Sequence, residues 1–505
     1  ESRQAKSTRF SKPKKRIECL TARDLESCQN SAELLKKHFE FTDGKVITRF
    51  PPEPNGYLHI GHAKAMRFSF MTAKENGGET YLRFDDTNPE KETKEYIDNI
   101  FENVSWLGYK PWKVTHASEN FQKLYEYAIE LIKKGKAYVC FMKKEQLREF
   151  RRDGKPSPYR DTSVAENLAQ FDLMRKGYYE EGVASLRLKI DMNHPNFTMR
   201  DPVAYRIRYV PHPHAGSEWC IYPCYDYTHC ICDSLENITH SLCTLEFEIR
   251  RDLYYWVLKE LDIFRPNVWE YSRLNISNNV LSKRKLLQML EKKIVIGWDD
   301  PRMLTLNGLR RRGYTADSIN DFCDLVSVTR RGNENFIDYS LLQHCLRKDL
   351  DAKAKRTMAV LYPVQLLLVN VPNTFEKIIE VSDYPKNPEK GHHQIKFTNK
   401  IFVEENDVKA EDVKGFFGIA PGKIVMLKYA NPIKILEVLV SKDGKPEFVK
   451  AELIEDPSIK VPKGVLHWIS QSDSIECEVR LYENLFNLYN PNELENFLDA
   501  INPNS

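Results

Sequence analysis

The chain has 505 residues, 41% of them hydrophobic and 29% charged, with 25 Tyr, 25 Phe and 7 Trp. That length and mix predict about three or four domains with large packed cores and exclude a disordered or fibrous chain. A net charge of +3 carries no nucleic-acid signature unless it is concentrated somewhere. No apolar run reaches the roughly 18 residues of a membrane span; the nearest, residues 360–371, is broken by Pro363, Gln365 and Asn370.

The first 44 residues are polar and charged, with a basic run (Lys6, Arg9, Lys12, Lys14, Lys15, Arg16) that no apolar segment follows. They read as an extension or linker rather than a secretory signal, with one short helix near Ala32 to Phe39. Lys45 to Phe50 alternates like a strand, a loop with Pro51, Pro52 and Pro54 follows, and Ala63, Met66, Phe70 and Ala73 recur at helical spacing from Gly61 to Glu75. Gly77-Gly78 ends that helix, and Thr80 to Phe84 forms a second strand running into Asp85-Asp86. Strand, helix and strand at this spacing make a βαβ unit, whose parallel sheet offers a nucleotide site at its carboxyl edge. From about residue 121 the pattern changes to helices (Phe121 to Lys134, Lys144 to Arg152, Ala165 to Lys176) and then alternating strands, with Val203, Tyr205, Ile207 and Tyr209 on one face. A helical stretch is expected over 283–350. Beyond 355, β-branched runs separated by Pro, Gly, Asn and Asp read as all-β.

Charge is unevenly placed. Between Ser282 and Arg356 there are 16 Lys/Arg and 10 Asp/Glu, so that this segment alone is +6; it includes Arg310-Arg311-Arg312 and Arg330-Arg331. A solvated helical surface and a phosphate-backbone track both fit that stretch. The eleven cysteines run from Cys19 to Cys477, an odd and scattered set that fits reduced thiols in the cytoplasm. Five of them, Cys220, Cys224, Cys230, Cys232 and Cys243, lie near His229 and His240. A zinc site is one reading. The lack of a Cys-x-x-Cys knuckle and a strand-like alternation favour buried free thiols, and no zinc is expected.

The strongest signal is Arg49-Phe-Pro-Pro-Glu-Pro-Asn-Gly-Tyr-Leu-His-Ile-Gly-His62. Two histidines three apart, with a glycine between, sit in a turn that opens a helix. The amides at that helix start form an anion site, and the histidines can donate to phosphate oxygens. Gly56 and Gly61 let the backbone approach a ligand closely. A His-x-x-His metal pair or a plain helix cap would leave the prolines and both glycines unexplained.

Here the sequence resembles the class I aminoacyl-tRNA synthetases, whose first signature is His-Ile-Gly-His and whose second is a Lys-Met-Ser-Lys-Ser loop. Val280-Leu281-Ser282-Lys283-Arg284-Lys285 matches the second loosely, with Lys283 at the catalytic lysine. Leu82-Arg-Phe-Asp-Asp-Thr-Asn-Pro-Glu90, Met199-Arg-Asp-Pro-Val-Ala-Tyr205, Cys220-Ile-Tyr-Pro-Cys-Tyr-Asp226, Ile238-Thr-His-Ser-Leu-Cys-Thr244, Trp298-Asp-Asp-Pro-Arg302 and Leu309-Arg-Arg-Arg-Gly313 extend the resemblance to the glutamine and glutamate branch, over nearly the whole chain from about residue 44.

The resemblance implies a multidomain α/β protein. It has a Rossmann-type catalytic domain in two halves (45–120 and 226–281) around an acceptor-stem insert (121–225). A signature loop and helical subdomain (282–352) and two anticodon-binding β-barrels (353–505) follow, after a basic extension over 1–44. Relatives usually run further at the C-terminus, so the resemblance implies that the proximal barrel is incomplete here, and with it part of the anticodon reading. ATP with Mg²⁺, an amino acid and tRNA are the implied ligands, and a monomer, alone or in a larger synthetase complex, is the implied state.

His59, His62 and Lys283 take the catalytic positions. Glu53, Pro54, Asn55, Ile60, Gly61, Ala63, Lys64 and Ala65 form the ATP wall with the two histidines. Thr244, Arg273, Leu274, Leu281 and Ser282 line the adenine and ribose side beside Lys283. The resemblance puts Asp85 at the substrate ammonium and Tyr225 at its side chain. Glutamate-specific relatives carry Arg where this chain has Cys243, and a thiol offers a carboxylate no charge partner. The expectation is therefore activation of L-glutamine and its transfer to the 2′-hydroxyl of tRNA(Gln). A glutamate enzyme and an inactive RNA-binding paralogue are the alternatives.

Overall fold

The computed structural model describes residues 28–330, 334–456, 458–460 and 463–505. The N-terminal basic run, Cys19 and Arg331 lie outside them. The chain forms two compact units, residues 1–346 together with 483–505, and residues 347–482.

In the first unit, α1 (Ala32–Thr42) begins where Ser31 Oγ accepts the Leu34 amide. β1 (Ile47–Phe50), α2 (Ile60–Glu75), β2 (Glu79–Phe84), α3 (Lys94–Trp106) and β3 (Lys113–His116) then build a parallel sheet in the order β1-β2-β3. All four residues of β1 are buried, as expected of a parallel strand covered on both faces. Gly78 is required at the entry to β2, because a β-carbon there would lie 1.8 Å from the Val46 carbonyl oxygen.

The insert follows: α4 (Phe121–Lys133), β4 (Ala137–Cys140), α5 (Lys144–Arg152), α6 (Val164–Arg175), β5 (Ser185–Leu188), β6 (Val203–Ile207) and β7 (Ile221–Pro223). Its four strands pair antiparallel in sequence order, over a core that includes Phe121, Leu124, Phe171, Leu186, Tyr205 and Ile221.

The chain then returns to the first sheet through α7 (Tyr225–Leu235), β8 (His240–Thr244), α8 (Arg251–Glu260) and β9 (Asn267–Tyr271). The strand-like alternation expected around Cys224 to Cys232 is not observed, because this stretch is α7. Every residue from Tyr227 to Ser234 is buried, so the helix shows no polar face by which a period of 3.6 could be recognised. β8 pairs parallel with β9. It lies beside the free edge of β1, where the Thr239 amide donates to the Ile47 carbonyl at 2.9 Å. The order across the domain is thus β3-β2-β1-β8-β9, and the direction of winding reverses between β1 and β8. In open α/β sheets that reversal is where ligands bind, outside the carboxyl ends of the strands.

β10 (Arg273–Ile276), α9 (Lys283–Glu291), α10 (Leu306–Arg312), α11 (Ala316–Val326), β11 (Glu334–Ile337) and α12 (Tyr339–Lys353) complete the order up to the second unit. The stretch expected to be helical over 283–350 is interrupted by β11, which pairs parallel with β10. Leu485, Phe486, Phe497 and Ala500 pack with Val280, Leu286 and Met289, so the last residues of the chain share a core with α9. Asn278 fixes this contact, with its amide on the Tyr489 carbonyl at 2.8 Å and its side chain on the Phe486 carbonyl at 3.1 Å.

The second unit holds β12 (Pro363–Leu368), β13 (Glu376–Ser382), β14 (His392–Thr398), β15 (Lys400–Glu404), β16 (Ile424–Leu427), β17 (Pro432–Val440), β18 (Pro446–Leu453), β19 (Val465–Leu466) and β20 (Ile469–Ser470). Seven strands form one sheet in the order β19-β16-β17-β18-β12-β15-β20, and β13-β14 is a separate hairpin. Trp468, Phe397, Ile401, Ile433 and Val449 are in its core. Among the described residues, no helix is long and apolar enough to cross a membrane.

Candidate active site

A cavity of about 450 Å³ opens at the carboxyl ends of β1 and β8. One wall is the start of α2. His59 is the N-cap of this helix; its Nδ1 accepts the Gly61 amide at 3.1 Å, and His62 Nδ1 accepts the His59 amide at 3.1 Å. Both Nδ1 atoms are therefore acceptors, which places the ring proton of each neutral imidazole on Nε2. The two rings lie 3.9 Å apart. Burial, then His62 and Arg273, push the His59 pKa well below its ordinary value; burial and Arg273 push His62 down to about 4. At neutral pH the wall is a pair of uncharged, tautomer-fixed donors at a helix N-terminus, where backbone amides add partial positive charge.

Across the cavity, Lys283 opens α9 and lies over Gly56. A β-carbon on Gly56 would stand 3.0 Å from Lys283 Cε, so this glycine supplies the space the lysine occupies. Burial lowers the Lys283 pKa to about 8, against an opposing pull from Glu53. Tyr57, stacked on Trp298 at 5.3 Å, completes this side.

The floor is a buried ionic network rooted in the first sheet. Arg49 on β1 donates through Nε to Asp233 Oδ1 (3.0 Å), through Nη1 to the Leu242 carbonyl (2.8 Å) and through Nη2 to Ser241 Oγ (2.8 Å) and Cys243 Sγ (3.4 Å). Arg83 on β2 donates to Asp85 (3.0 Å), Asp233 (2.7 Å) and Glu236 (2.7 Å). Tyr254 and Ser241 hydroxyls donate to the second Asp233 oxygen at 2.9 and 2.8 Å. Burial opposes ionisation of Asp233, but Arg49 and the neighbouring cations outweigh it and hold its pKa far below the ordinary carboxylate range. His229 Nε2 lies 2.9 Å from the Arg49 guanidinium and 3.7 Å from Asp233 Oδ2. Its Nδ1 faces Asp85 Oδ2 at 3.5 Å; burial opposes its charging, but Asp233 and Asp85 outweigh burial and raise its pKa to about 9.

Asp85 is 3% exposed, and its Oδ2 is paired with His229 Nδ1 at 3.5 Å. Burial raises its pKa, but Arg83 and His229 prevail, so it stays ionised. Two guanidiniums and the His229 imidazole thus face three carboxylates (Asp85, Asp233 and Glu236), so the charges of the floor are met within it. Tyr225, at the start of α7, stacks on His229 at 5.0 Å, and burial and Asp85 keep its phenol protonated.

Of the residues singled out in the sequence, the structure gathers Glu53, Asn55, His59, Gly61, His62, Lys64, Ala65, Tyr225, Cys243, Thr244, Arg273, Leu274, Leu281 and Lys283 around the cavity. Lys64 is 2% exposed, with its ammonium toward the Ser272 carbonyl. Pro54, Ser282 and Asp85 stand outside the lining, and Ile60 and Ala63 turn their side chains into the core. These last two can offer a ligand only their backbone, because α2 alternates its faces between cavity and core. Arg49, Arg83, His229 and Asp233 were not foreseen. Their signal was in the sequence: an arginine inside each of two strands that a parallel sheet buries on both sides.

The family model for tRNA synthetases class I (E and Q), catalytic domain, matches residues 45–352. Two models for the anti-codon binding domain of the same family match 354–454 and 465–505. This chain belongs to the class I tRNA synthetases (E and Q). Among similar proteins, a "Probable glutamine--tRNA ligase" of Dictyostelium discoideum is 52% identical over 95% of this chain and 62% of its own length. A "Glutamine--tRNA ligase" of Lupinus luteus is 50% identical over 95% of this chain and 61% of its own. One from Vibrio cholerae is 47% identical over 92% of this chain and 86% of its own. The synthetase chain thus spans about three fifths of the length of the first two relatives. Its two family signatures, far apart in sequence, face each other across the cavity as His59-His62 and Lys283.

Proposed function

We propose that this chain is a glutamine–tRNA ligase, acting in the cytoplasm. The glutamine carboxylate attacks the α-phosphate of ATP, glutaminyl-adenylate forms and pyrophosphate leaves. The 2′-hydroxyl of the terminal adenosine of tRNA(Gln) then takes the glutaminyl group and releases AMP. Mg²⁺ enters with ATP as part of the substrate. The Nε2 protons of His59 and His62 donate to phosphate oxygens as charge develops there, and the Lys283 ammonium stabilises the departing pyrophosphate. Preorganised donors of this kind act by orientation and electrostatics and need no covalent step. Glu53, Pro54, Asn55, Lys64 and Ala65 with the backbone of Ile60, Gly61 and Ala63 bound the ATP. Thr244, Arg273, Leu274, Leu281 and Ser282 bound its adenosine.

Asp85 Oδ2 receives the substrate ammonium. Tyr225 and the Cys243 thiol bound the side-chain end. The observation that carries glutamine over glutamate is the occupation of Arg49: its guanidinium already serves Asp233, Ser241 and the Leu242 carbonyl. A second carboxylate would be buried beside cations that already have their partners, whereas a neutral amide is not penalised. The relatives named as glutamine–tRNA ligases support the same reading.

The test is aminoacylation of tRNA(Gln) and tRNA(Glu) transcripts, each with labelled glutamine and labelled glutamate. Charging of tRNA(Gln) with glutamine alone is expected. Charging with glutamate would mean that a cation of the floor is free for it, and no charging with either would refute the ligase reading.

A further inference from the structure

Beyond the end of β2, Asp85 is followed by Asp86, which is buried and held from two directions. From the turn after β3, the Ser118 amide donates to Asp86 Oδ1 at 2.9 Å, the Ser118 hydroxyl donates to Oδ2 at 2.7 Å, and His116 Nδ1 lies 3.1 Å from Oδ2. From the insert, the loop that joins β6 to β7 sends in the buried His212, whose Nε2 lies 2.7 Å from the Asp86 carbonyl oxygen. The tautomer of this imidazole is fixed. Its Nδ1 accepts the His214 amide at 3.1 Å and the Ala215 amide at 3.0 Å, so the ring proton is on Nε2 and is donated to Asp86. Side-chain atoms of Asp86, Glu92 and His212 lie within 4.8 Å of one another, as a metal site would need. A nitrogen that already carries a proton offers a metal no lone pair, and that reading fails. The loop is closed by the His212 amide on the Gly216 carbonyl (2.8 Å) and the return bond (2.9 Å), and the ring packs on Phe121 and Tyr222 at 5.4 and 6.0 Å. The insert thus aims a rigid donor at the backbone of the catalytic sheet.

We propose that His212 is a positioning residue for the amino-acid site: through the Asp86 carbonyl it fixes the backbone that aims Asp85 at the substrate ammonium. This rests on the reading that Asp85 receives that ammonium. The two-residue corner is clamped at both ends, because the Asp85 amide donates to the Pro52 carbonyl at 3.1 Å and the Asp86 carbonyl accepts from His212. Within the clamp, Arg83 and His229 set the direction of the Asp85 carboxylate. A buried carbonyl that lost its donor would turn toward another one, since an unmade hydrogen bond costs more inside the protein than in water. Asp85 would move with it, and binding would have to draw the corner back. The role is one of geometry. Burial keeps the His212 pKa below its ordinary value, so the ring is neutral and adds no charge to the site.

The experiment uses the full chain with His212→Asn and His212→Gln, and titrates each with free L-glutamine and with glutaramic acid, the same molecule without its amino group. An Asn side chain can accept the His214 and Ala215 amides as Nδ1 does but falls short of Asp86. A Gln side chain carries its amide nitrogen about as far out as Nε2 and keeps the donor. The wild-type chain is expected to bind glutaramic acid roughly ten- to a hundred-fold more weakly than L-glutamine, as the loss of a hydrogen bond to a charged group implies. His212→Asn should weaken L-glutamine roughly ten-fold, with glutaramic acid and ATP bound as in wild type, so that the gap between the two ligands narrows. His212→Gln should restore the wild-type gap. A wild-type gap in His212→Asn, equal weakening of both ligands, or a His212→Gln that behaves as His212→Asn would overturn the positioning role. A histidine that only held its loop together would lower the melting temperature of both variants and leave the gap intact, which overturns it as well. A wild-type chain that binds the two ligands equally would instead remove the ammonium from Asp85, and the proposal with it.

Discussion

The floor and the rim of the cavity are built from the same kinds of residue and end in opposite states. On the floor, Arg49 and Arg83 are buried and each donates to two or more acceptors within the protein. At the rim, His59 and His62 use the protein only to fix their tautomers, and Lys283 leans over a glycine at the cavity. A cation on the floor therefore holds the fold, while a donor at the rim is left facing the cavity. Burial explains the division. A charge removed from water must find its partners inside, whereas a side chain at a cavity mouth keeps water until a ligand displaces it. Asp85 stands at the boundary, with one oxygen on Arg83 and the other 3.5 Å from His229 Nδ1.

The comparison breaks most readily at Asp233. Asp233→Asn leaves two buried guanidiniums short of a carboxylate, and loss of one partner of a buried ion pair costs roughly 3–5 kcal/mol. Chemical denaturation should show that loss, and a variant as stable as wild type would mean the floor is not what holds the two strands to α7. The pH dependence has a definite sign. The Asp233 pKa is depressed in the folded chain, so its contribution is complete above the unfolded carboxylate value of about 4 and is lost as pH falls below it. At the rim the expected effect moves from stability to rate. Lys283→Ala should lower kcat on the order of 10²–10³-fold, with the denaturation midpoint unchanged and glutamine affinity altered much less. Near-full turnover in that variant would remove Lys283 from the chemistry.

The rim was legible in the sequence and the floor was not. His59, Gly61 and His62 lie in one contiguous turn whose residue types serve one purpose, and Lys283 sits in a recognisable loop, so short-range pattern carries them. The floor draws on β1, β2, β8 and α7, and Arg49 and Asp233 are 184 residues apart; no local period connects such positions. α7 was misread for a related reason. A helix buried all round loses the polar stripe from which helical periodicity is read, and its cysteines look like strand residues. Arg49 and Arg83 were nonetheless visible as charges within strands of a parallel sheet, an anomaly that has only one resolution: a buried counter-charge from elsewhere in the fold. β3 and α3 join both groups through contacts that no local pattern marks: the Thr115 hydroxyl donates to Glu236 at 2.7 Å, and Lys283 Nζ lies 5.9 Å from the Tyr96 ring.

Titration sharpens the rim further. His62 at about 4 and His59 well below its ordinary value stay neutral through the physiological range, so kcat/KM should show no histidine transition between about pH 5 and 7. Lys283 at about 8 loses its proton as pH rises, so kcat/KM for ATP should fall through about pH 8 and approach about ten-fold lower for each further unit. A profile with a limb near 6.5 would mean that one imidazole is solvated like an ordinary histidine. Gly56→Ala should give the smallest effect. Its methyl group would meet Lys283 Cε at 3.0 Å, a contact that a flexible side chain relieves by moving a few tenths of an ångström. The expected loss in kcat/KM for ATP is about three- to five-fold, well under the roughly 100-fold that a 1 Å misplacement can cost. Because Gly56 is not at a left-handed position, the denaturation midpoint should not move. A loss as large as that of Lys283→Ala would show that the rim has no slack, and that the lysine is positioned as tightly as the arginines beneath it.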